Sequence, residues 1–84
     1  MTREKEIGLL MLDGCTEREA KRHLERGTAI IEDFEENFSQ YMKEWDVDEE
    51  DQEPYRWMIK TGTPVADFGV VEYKGKNYYI MYVL

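Results

Sequence analysis

Apolar residues recur at spacings of three and four from Ile30 to Trp45, at Ile30, Phe34, Phe38, Tyr41 and Trp45. This is the period of one helical face, so the pattern predicts a helix over 29–45. Glu32, Glu36, Gln40 and Lys43 fall on its opposite side, with Asp33 and Glu35 on the flanks. Glu32 and Glu36, like charges one turn apart, would repel each other there.

Shorter helices are expected over 3–12, 17–26 and 52–61. Thr2 can cap the first, whose apolar residues Ile7, Leu10 and Met11 share a face, and Asp13-Gly14 supplies its stop. Thr16-Glu17-Arg18-Glu19 has capping-box spacing, and Gly27 offers the left-handed residue that ends a helix. Only Ala20 and Leu24, with His23 beside them, can form that helix's inner stripe. Pro54 is tolerated near a helix start, which makes Asp46–Glu53 a loop or first turn, with Tyr55, Met58 and Ile59 inward beyond it.

Residues 68–84 alternate, are rich in Val, Ile and Tyr, and contain Lys74-Gly75-Lys76, which reads as a β-hairpin. A hairpin alone is marginal, so its apolar face must pack on the helices. Tyr73, Tyr78, Tyr79 and Tyr82 are then expected as core and cross-strand filler rather than as a stacking surface. The fold class that follows is α+β: three to four short helices against a C-terminal antiparallel β-hairpin, in a single domain spanning 1–84. Eighty-four residues leave little room for both a core and an enclosed active site.

Charge changes this picture. Between Gly27 and Arg56 stand eleven carboxylates and only two basic side chains, Lys43 and Arg56, while the flanks are nearly neutral and the chain totals −8. Charge focused in this way sets up a local field and suits a basic partner. Direct nucleic-acid binding, which needs a basic stripe, is disfavoured. Carboxylates along a helix and its adjoining loop could instead stand in for phosphates, because acids one turn apart lie roughly 6 Å from each other.

The remaining chemistry is thin. Asp46, Asp48 and Glu50 alternate like the first ligands of an EF-hand, but Asp51 stands where its glycine belongs and Trp57 where its bidentate glutamate belongs. One cysteine, Cys15, and one histidine, His23, cannot furnish a zinc site without several carboxylates. No phosphate loop or nucleophile elbow occurs, and the many acids lie in a hydrophilic run where their pKa values would not be raised for acid catalysis. The expectation is therefore no enzyme, no metal and no cofactor. Cys15 reads as a free structural thiol and fits a reducing compartment. The run Ile7–Leu12 is too short to span a membrane and follows mixed charge rather than the basic start of a secretory signal. A cytoplasmic location with no membrane partner is expected.

The segments DFEENFSQYMKEW and FGVVEYKGKNYYIMYVL resemble small uncharacterised proteins of Clostridia-type bacteria and their mobile elements. Size, acidity and helices ending in a hairpin also resemble, at class level, anti-CRISPR proteins of type II systems, some of which act as DNA mimics. That resemblance implies an inhibitor occupying the nucleic-acid site of an RNA-guided nuclease. The resemblance carries over no site residues; from the charge pattern itself, the contacts to a basic partner would be Asp46, Asp48, Glu49, Glu50, Asp51 and Glu53, extended by Glu32 and Glu36. The alternative is a noncatalytic regulatory or antitoxin-like module that self-associates through its hairpin.

Overall fold

A computed structural model describes residues 1–83, so the last residue of the expected hairpin, Leu84, lies outside the described residues. Helices α1 (Arg3–Leu12) and α2 (Glu17–Glu25) come first and strand β1 (Ala29–Ile31) follows. Helix α3 (Phe38–Glu44), a 3₁₀ turn (Glu49–Asp51), helix α4 (Glu53–Thr61) and strands β2 (Phe68–Tyr73) and β3 (Lys76–Met81) complete the order. The class is α+β, with four α-helices and a three-stranded antiparallel sheet, ordered β1-β3-β2, among the described residues.

The capping signals act as the residues suggest. Thr16 Oγ1 accepts from the Glu19 amide at 3.1 Å while the Glu19 carboxylate accepts from the Thr16 amide at 2.9 Å. That bond is the main cause holding the Glu19 carboxyl below its ordinary range. Thr2 accepts from the Lys5 amide at 3.2 Å. Helices α1 and α2 both end in Schellman turns, with Gly14 and Gly27 left-handed at φ 105° and 102°. On α1 the inward face is set by Leu9 and Leu10, whereas Met11, expected inside, is exposed.

The predicted helix over 29–45 is corrected. Its first three residues form β1, residues 32–37 turn, and only Phe38–Glu44 is helical. The β-branched pair Ile30-Ile31 is drawn into the sheet because β3 offers it a partner: Ala29 pairs with Met81, Ile30 with Ile80 and Ile31 with Tyr79. The hairpin is therefore part of a larger sheet. Its turn is Lys74-Gly75 alone, with both residues at positive φ (52° and 75°) as a two-residue type I′ turn requires, and Lys76 belongs to β3.

β3 lies in the middle of the sheet, and both of its faces are covered. Tyr78 and Ile80 point into one core with Leu9, Leu10, Ala20, Leu24 and Val71, which brings α1 and α2 onto that face. Tyr79 points into the other with Ile31, Phe34, Met42 and Met58, beneath α3 and α4. The period-2 alternation thus serves two cores at once, giving a helix–sheet–helix sandwich. Tyr78 and Tyr79 are filler, as expected, while Tyr73 at the hairpin tip is exposed.

The sandwich is pinned near the end of the sheet. Tyr82 donates its hydroxyl to Asp13 in the α1–α2 turn, and Cys15 Sγ lies 3.9 Å from the same hydroxyl. Burial and then the Asp13 bond raise the Tyr82 pKa. Asp13 approaches over Gly69, where a Cβ would collide with its carboxylate and lie 3.0 Å from the Tyr82 ring. Cys15 is a free, partly buried thiol packed against the first core. His23, the remaining candidate for the α2 stripe, packs edge-on against Tyr82 at 5.0 Å.

Candidate acidic interface

The acid-rich segment is anchored from within. Helix α3 ends in a Schellman turn in which the Val47 amide donates to Met42 O at 2.9 Å and the Asp46 amide to Lys43 O at 3.2 Å. Val47 joins the second core beside Met42. Asp46 occupies the left-handed position at φ 54°, which glycine fills in the other two such turns and which costs an L-residue free energy. Gln52 Nε2 then donates to Val47 O at 3.1 Å, bracing the loop from its far side. Pro54, in the first turn of α4, fixes where the next helix begins.

Between these anchors Asp48, Glu50 and Asp51 are driven together. One carboxylate oxygen from each lies within 4.8 Å of the others, and all three side chains are exposed. Among the described residues none of the three is in an ion pair. Three like charges so close repel, and a cation placed among them gains from all three. A lysine or arginine head group suits the space. A divalent ion would find three protein oxygens there, short of the six to eight that calcium takes.

The other expected contacts are arranged differently. Glu49 and Glu53 flank Arg56 at 3.5 and 3.7 Å, and Arg56 also donates to Gln52 Oε1 at 2.9 Å and lies 5.5 Å from the Phe38 ring centre. Arg56 thus ties α4 to α3 and neutralises part of the run. Its role was readable in the i,i+3 spacing from Glu53. Glu32 lies 3.8 Å from Lys76, and Glu36 is exposed without an ion pair among the described residues. Because 32–37 is a turn, the expected helical ladder of Glu32 and Glu36 does not exist. Among the described residues the unpaired cluster is Asp48, Glu50 and Asp51, and Asp46, exposed at the start of the loop, is also outside any ion pair.

Two acids on the supposed flanks serve the fold instead. Asp33 accepts from Tyr41 Oη at 2.7 Å and from Asn37 Nδ2 at 2.9 Å. The Tyr41 bond holds the Asp33 carboxyl below its ordinary range and, with burial, pushes the Tyr41 phenol up to about 12. Glu35 accepts from Tyr79 Oη at 2.7 Å; burial of the ring and then this bond raise the Tyr79 pKa.

No described helix is long and apolar enough to cross a membrane. No protein-family model, curated protein or solved structure matches the chain.

Proposed function

We propose that this is a noncatalytic protein that binds a basic protein surface through Asp46, Asp48, Glu50 and Asp51. The observation that supports this most is the convergence of three exposed carboxylates within 4.8 Å, none of them in an ion pair among the described residues. Their mutual repulsion is relieved when a partner's lysine or arginine enters, so the attraction is concentrated at one spot. Glu49 and Glu53, already sharing Arg56, form the rim, and Glu32 and Glu36 are peripheral. In its most specific form the reading is an inhibitor acting inside the cell, where the acids occupy the nucleic-acid groove of an RNA-guided nuclease. Complementary charge makes such binding fast and sensitive to salt.

The test combines Asp46→Asn, Asp48→Asn, Glu50→Gln and Asp51→Asn, four exposed changes that keep side-chain shape. Asparagine tolerates the left-handed position of residue 46. Capture from bacterial lysate at low salt should enrich basic nucleic-acid-binding proteins with the natural chain and lose them with the quadruple variant. Equal capture by both would sink the reading. Added to a purified type II nuclease, the natural chain should block target-DNA binding and the variant should not. Failure of that second assay alone removes only the nuclease form. Self-association through the hairpin has less support, because Tyr78 and Tyr79 are used up in the two cores.

A further inference from the structure

The hydrogen-bond parity of the sheet leaves one side of β1 open. A two-residue turn makes Tyr73 and Lys76 a hydrogen-bonded pair, so residues 76, 78 and 80 of β3 bond to β2, and the Tyr82 amide continues that series by donating to Asp67 O at 3.0 Å. Residues 77, 79 and 81 therefore bond toward β1, opposite Ile31 and Ala29. Ile30, opposite Ile80, points its N–H and C=O away from the sheet. Neither group has a backbone partner elsewhere among the described residues.

Beside that free edge runs an open groove of about 540 Å³, lined by Ile30, Met81, Tyr41 and Trp45. Both aromatic side chains are half-buried and held in place. Tyr41 is fixed by its 2.7 Å bond to Asp33, and Trp45 by the Phe34, Tyr41, Tyr55 and Phe68 rings at 5.4–6.4 Å. Glu32 and Asp33, both exposed, form the rim, with Lys76 drawn to Glu32. The β2 edge also has outward-facing backbone at Val70 and Glu72, but the groove near it has no aromatic wall.

We propose that the β1 edge is a second binding site, which takes an extended segment of a partner protein in which apolar and basic residues alternate. Backbone of the segment pairs with Ile30, every second side chain enters the groove against Tyr41 and Trp45 beside Asp33, and the basic residues between them turn to the other face, where Glu32 lies. The alternation follows from the pleat, which sends successive side chains to opposite faces. The choice of basic residues follows from charge complementarity: the rim carries two carboxylates against one lysine, and the chain carries −8. Asp33 retains acceptor capacity beyond its two bonds, since a carboxylate has about four lone-pair sites. This site goes beyond the acidic loop and does not depend on it.

The test uses the natural chain, labelled with ¹⁵N, and three blocked peptides: Lys-Val-Lys-Val-Lys, the same peptide N-methylated at its central lysine and valines, and Glu-Val-Glu-Val-Glu. The first should shift the Ile30 and Glu32 amides and the Trp45 indole in a saturable way. The N-methylated and acidic peptides should each bind about tenfold more weakly, the loss of roughly one good backbone contact or charge complement. Shifts confined to residues 46–53 would show attraction by the acidic loop alone and overturn the proposal, as would equal binding of the acidic peptide or no shift at all. Repeating the titration with the quadruple loop variant separates the two sites: the β1 shifts persist there if this inference holds, whatever the fate of the loop.

Discussion

At the scale of single residues, the polar contacts that organise the acid-rich turn are tyrosine hydroxyls donating to carboxylates. Tyr41 and Asp33 are the most exposed such pair, and their linkage has a definite sign. The Tyr41 phenol is raised from its ordinary 10.0 to about 12 in the folded chain. Its stabilisation is therefore complete below about pH 10 and disappears as the pH climbs through about 12. Asp33, depressed, acts on the other side: its contribution is present above its ordinary carboxyl range and is lost as pH falls through the lowered value. Tyr41→Phe should lower stability at neutral pH but flatten its fall between about pH 10 and 12. Urea melts across that range check this, because Tyr79 and Tyr82 titrate in both chains and cancel in the comparison. An unchanged alkaline slope would mean that the bond does not form in solution.

At the scale of elements, the weight of the second core falls on Phe34 rather than on α3. Phe34 is fully buried in the turn before that helix, with five aromatic ring centres 5.1–6.1 Å from its own. Phe34→Ala should cost about 3–5 kcal/mol, and half-buried Phe38→Ala about half of that. Glu36→Gln should change stability by less than about 0.5 kcal/mol. Denaturant titrations order the three; a larger loss at Phe38 than at Phe34 would contradict the packing. The inward identity of Phe34, Phe38, Tyr41 and Trp45 was legible in the sequence because side chains that share a core share a spacing. The secondary structure of 29–37 was not, because three residues are too few to show alternation and their partner lies fifty residues onward. The acidic loop was legible as charge, but the separation of Asp48, Glu50 and Asp51 from the Arg56-bound Glu49 and Glu53 depended on a 3₁₀ turn that composition does not reveal.

At the scale of the whole molecule, all three strands put residues into both cores, Ile30 and Ile31 from β1 and Val71 and Val70 from β2, and β3 is the strand to which the other two are bonded. Removing residues 76–83 takes away Tyr78 and Ile80 from one core and Tyr79 from the other, together with every ladder bond of β1 and β2. A chain ending at Gly75 should therefore be unfolded throughout, with collapsed amide dispersion. Dispersed signals from α1 and α2 would show that the first layer stands alone.

The position of β3 in chain order also bears on synthesis. A ribosome delivers α1, α2, β1, α3, α4 and β2 before the strand that pairs with both β1 and β2, so neither core has all its residues until β3 is made. At typical elongation rates the nascent chain spends on the order of ten seconds with uncovered apolar faces. Closing the sheet waits for residues 76–81, and pairing β1 with them spans the largest sequence separation among its strand pairs. Through that interval the same focused negative charge that marks the acidic loop keeps neighbouring nascent chains apart.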